Sequence, residues 1–502
     1  MGGENKMSRD RITLLNMNML YVRYYDTVEK ELHVPLGTLY LTRILEDAGV
    51  AVDFRDYQRN EYDDPFDAEN ICSYLDGCAD LVGVSVMANL LPFTINALRL
   101  FKERHPDKTI VLGGVGPKSV ETKILERFPW IDAVAYGEGE RMIVPLVEAF
   151  GRGEGFARVP NLYWRDADGR VVCNEPAPRI EDLDTIPFPA WHRIDLARYE
   201  GYGVMTSRGC PYQCTFCSVA PIWGFTPHRR SDANIVAEMA ELKQRAGADL
   251  FLFQDEFFVC TPRQVIGFCD ELERSGLGVD WKAFGRINLA DGEMMRRMAG
   301  TGCLELRFGV ESGSDRVLEL SKKGFRADEA VQVVTEGVTI FDRVDAFYVW
   351  GYPFETMEDF HQSVFQMISF RMVGARVLPS LLCFLPQTEI FREHADDGRR
   401  LEFCREVFPE YMLTGHEICK TARVEIDPGH AQFFDFIEQH PDIFPGFFHY
   451  DLAGNVLPKL RVLQEMGFYP ADSNELEMTD SCGAHSPRVP QATTAKAQLT
   501  VQ

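Results

Sequence analysis

The chain is 502 residues long, too long for one ordinary domain and long enough for two or three, each with its own core. Its composition, 45% hydrophobic and 25% charged, is that of a soluble globular protein. The formal net charge of -24 argues against nucleic acid or an anionic membrane as partner and leaves a small-molecule substrate as the expectation. The N-terminus MGGENKMSRDR is polar, and no apolar run of about 18 residues follows, so neither a signal peptide nor a membrane span is expected. Thirteen cysteines, an odd number and mostly scattered singly, fit the reducing cytoplasm.

Residues 11 to 150 alternate short apolar runs with amphipathic stretches: RITLLNMN, PLGTLYLTRILEDAG, VAVDFRDY, LVGVSVMA, TIVLGG and AVAYGEGE. Strands separated by helices predict a parallel, doubly wound, Rossmann-like domain over 1–150 with its ligand site at the strand C-termini. Gly113 and Gly114 end one such strand, where backbone or a ligand can come close. Residues 151–200 read as a linker with a hairpin around Asp168 and Gly169 and four prolines between 176 and 189. Over 201–390 the segments YGVMTSR, DLFLFQD, VDWKAFGR, CLELRFGV, DAFYVWG and ARVLPSLLCF are strand candidates with helices between them. They predict a partial (β/α)6 barrel with its site at the strand C-termini. Residues 391–475 are aromatic-rich and mostly helical by pattern, a cap for the barrel mouth, and 476–502 reads as a disordered tail. The fold class is therefore α/β.

Immediately after the first of these strands comes TSRGCPYQCTFCSVAP, with Cys210, Cys214 and Cys217 in C-x3-C-x2-C spacing. Thiolates suit iron–sulfur clusters, and three of them leave one iron of a four-iron cluster without a protein ligand, an open catalytic position. A zinc site completed from elsewhere, or three unrelated core cysteines, are the bland readings. The glycine, proline and tyrosine around the trio argue against core packing, and no second cysteine pair completes a zinc site.

At these residues the chain resembles the radical S-adenosylmethionine superfamily. The resemblance implies a 4Fe-4S cluster on the three cysteines, S-adenosylmethionine bound through its amino and carboxylate groups to the open iron, and reductive cleavage to a 5'-deoxyadenosyl radical. It places Phe216 at the aromatic position beside the adenine. It places Gln254, Asp255 and Glu256 of FQDEFF where the methionine amine is bound, with Asp255 favoured as an acceptor for an ammonium. Arg286 of FGRINLAD is a candidate for the methionine carboxylate, a surface arginine being the alternative. Gly309, Val310, Glu311, Ser312 and Gly313 resemble the strand-end turn beside the adenosyl group, with Glu311 an acceptor for ribose or substrate. VWGYPFETMEDF resembles the family's G-x-P-G-E-T turn, with Phe354 in place of its second glycine. Tyr348, Trp350, Tyr352 and His394 are candidates for either pocket or core. The implied partners are a small molecule and an electron donor such as flavodoxin or ferredoxin.

Over residues 10 to 390 the resemblance narrows to the subgroup with an N-terminal cobalamin-binding domain, through HVPLGTLYLTRILEDAG, Ser85, Gly113 and Gly114, and Gly137 to Glu140. Ser85 and the glycines are then expected along the nucleotide tail of cobalamin; a domain that docks without cofactor is the alternative. The string Glu31 to Gly37 is one residue longer than the D-x-H-x-x-G loop that supplies a cobalt-ligating histidine, so His33 is not expected on the cobalt. The activity implied is methylation of an unactivated centre in a small molecule, or else dehydration, cyclisation or rearrangement on the same domains. A methylthiotransferase is disfavoured by the absence of cluster-spaced cysteines in the first domain and by the charge. A non-enzymatic cluster module does not call for the strand-end strings.

Overall fold

A computed structural model describes residues 11–24, 27–199, 201–255, 257–395, 401–404 and 431–469. The tail expected over 476–502 and the candidate Glu256 lie outside these residues. Among the described residues no helix is long and apolar enough to cross a membrane.

The chain enters as β1 (Arg11–Asn16), whose buried run Ile12 to Asn16 leaves only Arg11 exposed, as a strand covered on both faces requires. A hairpin of β2 (Leu20–Tyr24) and β3 (Thr27–Glu31) follows, then the helix Leu36–Asp47 and β4 (Ala51–Asp56). Next come β5 (Leu81–Ser85), β6 (Thr109–Gly113), β7 (Ala133–Ala135), β8 (Leu162–Arg165) and β9 (Val171–Cys173). These form one sheet in the order β4-β1-β5-β6-β7-β8-β9. Pairing is parallel from β4 to β7 and antiparallel at β8 and β9. The parallel order reverses between β1 and β5, the switch point at which doubly wound sheets open a crevice for ligands. The hairpin read as part of a linker instead extends this sheet beyond residue 150. It covers the short β7, which would otherwise be an open edge.

The second sheet is parallel throughout and runs in sequence order: β10 (Tyr202–Val204), β13 (Leu250–Phe253), β14 (Asp280–Gly285), β15 (Cys303–Glu311), β16 (Arg343–Trp350) and β17 (Arg376–Leu381). It is the expected partial barrel. Between its first two strands lies a short antiparallel pair, β11 (Ser207–Arg208) and β12 (His228–Arg229). The intervening helices are cleanly bounded: Ser231 caps Asp232–Ala246, and Thr261, followed by Pro262, caps Pro262–Ser275. Thr356 and Asp359 form a capping box on Met357–Val373.

The C-terminal region holds helices and also the antiparallel pair β18 (Leu401–Phe403) and β19 (Phe448–Tyr450). It packs on both sheets. Phe433, Phe434, Ile437 and Phe444 join the core of the first domain, while Val456, Leu460, Leu463 and Tyr469 join that of the barrel. Asp442 fixes the first contact through Arg127, 2.5 and 2.8 Å to the two guanidinium nitrogens.

Candidate active site

The loop between β11 and β12 carries all three cysteines of the trio. Its shape depends on Gly209, at φ +97°, where an added Cβ would sit 2.9 Å from the Thr226 carbonyl oxygen; a side chain there would be strained and would collide with backbone. The Cys210 N–H donates to the Gly224 carbonyl at 3.2 Å, closing the loop, and the Cys217 N–H donates to the Cys214 carbonyl at 3.1 Å. The Thr215 N–H donates to Ser321 and its carbonyl accepts from Ile390, at 3.1 and 2.9 Å, so the turn after Leu320 and the helix Glu389–His394 both hold the loop. All three thiols are half-buried, whereas Cys72, Cys78, Cys269 and Cys303 are buried as core residues. Burial raises the Cys210 thiol above its ordinary range, with Arg286 and Lys323 acting against it.

The residues before the loop are anchored from below. The Asp255 carboxylate accepts the Thr206 N–H at 2.7 and 2.8 Å and the Ser207 N–H at 2.7 Å. It is 2% exposed, and burial pushes its carboxyl up to about 6 against those hydrogen bonds. Asp255 thus holds the backbone that leads into the loop, and of its neighbours Gln254 is exposed.

Two cations flank the thiols. The Arg286 guanidinium lies 3.5 Å from the centre of the Tyr212 ring and 3.7 Å from the Cys214 sulfur, and also donates to Asn288 and to the Lys323 carbonyl. The Lys323 ammonium, 6% exposed, pairs with Glu311 at 3.0 Å and faces the Phe216 ring at 5.9 Å. Lys323 is a site residue that the sequence reading passed over; its only signal is the SKKG string after a short helix. Its pair explains Gly309, because a Cβ there would lie 2.4 Å from a Glu311 carboxylate oxygen and 3.2 Å from the Lys323 nitrogen. Glu311 itself takes φ +66°, a conformation that non-glycine residues adopt at a cost and that clusters at functional sites.

The two barrel strings singled out in the sequence meet here. The Ser314 hydroxyl donates to Asp359 at 2.6 Å, Arg316 to the Phe354 carbonyl at 2.9 Å, and the Gly313 N–H to the Ser363 hydroxyl at 2.9 Å. Tyr352 packs edge-on to Phe216 with ring centres 5.8 Å apart. It is fully buried, and its hydroxyl has no hydrogen-bond partner among the described residues. Tyr348 donates to Gln366 and Trp350 to Tyr469, so both belong to the core. His394 packs on Tyr450.

In the first domain Ser85 ends β5 opposite Gly113 of β6. At Gly114, φ +84°, a Cβ would lie 2.7 Å from the Val86 carbonyl oxygen and 3.1 Å from the Ser85 hydroxyl, so the glycine lets the two strand-end loops close on each other. At the same end the Asn89 amide is 2% exposed with neither nitrogen nor oxygen partnered among the described residues. At the end of β4 Asp56 accepts from Asn16, Gln58 and Tyr199. The His33 ring sits 3.0 Å from a Glu31 carboxylate oxygen.

Both donor sets fit the groups the sequence implies. The three thiols do not converge on a single ion: no group of three His, Cys, Asp or Glu among the described residues could hold one. A cluster does not ask for this, since each thiolate binds a different iron, and the adjacent cations suit an anionic cluster and a ligand carboxylate. The orphaned Asn89 amide offers one donor side and one acceptor at the switch point, matching the amide-rich rim of a corrin.

Residues 25–147 match the B12 binding domain and residues 204–366 the Radical SAM superfamily. An uncharacterized methyltransferase of Pyrococcus horikoshii is 27% identical over 57% of the chain and 63% of its own length. The anaerobic magnesium-protoporphyrin IX monomethyl ester cyclase of Rubrivivax gelatinosus is 28% identical over 66% and 61%. The chain thus spans less than two thirds of either relative. Among solved structures, the radical S-adenosylmethionine methyltransferase TsrM of Kitasatospora setae, with tryptophan substrate and a SAM analog bound, superposes with a TM-score of 0.66 at 18% identity, covering 90% of this chain and 89% of that one. That likeness is one of fold, and it spans both domains and the C-terminal region. With two domain matches in this order and the thiol loop at the C-terminal edge of the second sheet, the chain belongs to the radical SAM superfamily, in the branch that carries an N-terminal B12 binding domain.

Proposed function

We propose that the protein is a radical S-adenosylmethionine enzyme that methylates an unactivated carbon or phosphorus centre of a small molecule with cobalamin as methyl carrier. The observation that carries this reading is the half-buried thiol loop flanked by Arg286 and Lys323, set beside a doubly wound domain with its own ligand crevice. Cys210, Cys214 and Cys217 would hold the cluster, and Ser85, Asn89, Gly113 and Gly114 would line the cobalamin tail. When bound, these groups supply the electron that cleaves S-adenosylmethionine, the hydrogen-abstracting radical, and a transferable methyl group.

The chain's own residues bind, orient and exclude water. Arg286 and Lys323 offer positive charge to the methionine carboxylate, and Gln254 offers an acceptor to its amine. Asp255 keeps the loop in register. Phe216 and Tyr352 wall the adenosyl side, the Tyr352 hydroxyl being free to bond ribose or adenine, and Glu311 is placed to accept from ribose. A one-electron carrier such as flavodoxin or ferredoxin would deliver the electron, and the reading takes the protein to be cytoplasmic, with its thirteen mostly scattered cysteines as support.

The likeness to a cyclase keeps a second reading in view, in which the same radical drives ring formation or rearrangement. Turnover of S-adenosylmethionine with a strong reductant separates the two. S-adenosylhomocysteine formed alongside 5'-deoxyadenosine supports methyl transfer, 5'-deoxyadenosine alone supports the second reading, and no cleavage of S-adenosylmethionine contradicts both.

A further inference from the structure

The strand that enters the cysteine loop is tied to the other domain by a buried ion pair. Arg208 lies two positions before Cys210 and is 3% exposed in its side chain. Its guanidinium donates to Glu138 at 2.9 Å and to Glu140 at 2.5 Å. Both carboxylates come from the loop after β7, at the C-terminal edge of the first sheet, and are 7% and 10% exposed. They are not loosely hung. The second Glu138 oxygen accepts the Ile180 N–H at 2.6 Å, and Gly139 between them packs so closely on the helix Leu36–Asp47 that a Cβ would lie 3.1 Å from Leu41. On its other side the Arg208 guanidinium stands 4.9 Å from the centre of the Trp223 ring. Trp223 precedes Gly224, whose carbonyl closes the loop on the Cys210 N–H. One cation therefore touches both ends of the cysteine loop, and its side-chain hydrogen bonds among the described residues go to carboxylates of the first domain.

Removing Arg208 leaves two buried carboxylates without their cation, and removing both carboxylates leaves a buried cation alone, whereas the intact group is itself weak evidence for stability. We propose that Glu138 and Glu140 are positioning residues for the iron–sulfur cluster, acting through Arg208, so that occupancy of the first domain by cobalamin and assembly of the cluster are energetically coupled. A corrin that shifts the loop after β7 would shift Cys210 with it, because the ion pair, the closure at Gly224 and the anchoring of Thr206 and Ser207 by Asp255 tie the two loops together. Coupling of this kind is reciprocal: each cofactor changes the affinity for the other by the same factor.

The proposal rests on the function proposed above, and the test separates the two. The full chain is prepared anaerobically with its cluster, and in parallel without it by chelation. Hydroxocobalamin affinity is measured on both by absorbance titration, and the electron paramagnetic resonance spectrum of the reduced cluster is recorded with and without hydroxocobalamin. For the wild type the expected result is a difference in cobalamin affinity of about 5-fold or more between the two preparations, with cluster g values that move on cobalamin addition. In Glu138→Gln/Glu140→Gln both cofactors should still bind, with the affinity difference reduced to less than about 2-fold and the g values no longer responding. If that double variant does not fold, Glu140→Gln alone, which leaves Arg208 its Glu138 contact, should show an intermediate loss of coupling. Equal affinities in the wild type, or undiminished coupling in the variants, would overturn the proposal. A wild type that binds no cobalamin would sink both the cobalamin reading and the coupling, whereas a wild type that binds both cofactors independently would sink only the coupling.

Discussion

Asp255 and Glu311 are both acidic and both near the thiols, yet the structure gives them different work. Asp255 holds backbone, and its carboxyl is pushed up to about 6 from an ordinary 3.8 because burial outweighs the Thr206 and Ser207 hydrogen bonds. The folded protein therefore keeps this proton over a range where the unfolded chain has released it. The contribution of Asp255 to stability is greatest below pH 4 and declines as pH rises towards 6. Comparing melting temperatures of wild type and Asp255→Asn from pH 4 to 7 should show the wild type losing ground to the variant through this window and running level above it. A difference that is flat, or that moves in the wild type's favour with rising pH, would remove Asp255 from this role. Glu311 instead shares a buried pair with Lys323 beside Phe216. Losing a charge-assisted contact costs about 1.5–3 kcal/mol, so Lys323→Met and Glu311→Gln should each weaken S-adenosylmethionine binding by about 10- to 100-fold while iron content stays at the wild-type level. Unchanged affinity in equilibrium binding would show that the pair is structural.

Among the elements, the C-terminal helix Leu457–Glu465 does more than cap. Its Lys459, 1% exposed in the side chain, pairs with Glu355 at 2.7 Å and also donates to the Glu355 carbonyl at 3.0 Å. The same Glu355 oxygen, Oε2, also accepts the Gly351 N–H at 2.9 Å, while Oε1 has no hydrogen-bond partner among the described residues. The helix thereby fixes the turn that carries Tyr352. Lys459→Met leaves Glu355 buried without its partner and should cost about 3–5 kcal/mol. Adding Glu355→Gln should recover part of that loss, and chemical denaturation of the single and double variants checks it. The strands of both sheets are legible in the sequence because each is an apolar run ended by glycine or a polar string, as in TIVLGG or CLELRFGV. The thiol loop is legible because its three ligands lie close in sequence. Arg208 with Glu138, Lys459 with Glu355, and the spread of the C-terminal region over two cores are not, since the two pairs join residues 70 and 104 positions apart, Arg127 and Asp442 are 315 apart, and all depend on how the sheets are placed. The hairpin of β8 and β9 is legible as a hairpin but not as an addition to the first sheet, because local pattern does not say which edge is open.

At the scale of the molecule, two sheets each present a ligand-binding edge, and Arg208 and the C-terminal region join them. Phe433 and Phe434 on one core and Leu460 and Leu463 on the other make this region a strap whose removal would uncover apolar surface on both. The central claim, however, rests on three residues. Iron and sulfide are to be quantified in anaerobically prepared wild type and in Cys210→Ala/Cys214→Ala/Cys217→Ala, with the spectrum of the reduced protein recorded beside them. The account predicts about four irons per wild-type chain, with the resonance of a reduced four-iron cluster, and neither in the triple variant. Iron and resonance that survive the triple substitution would contradict it.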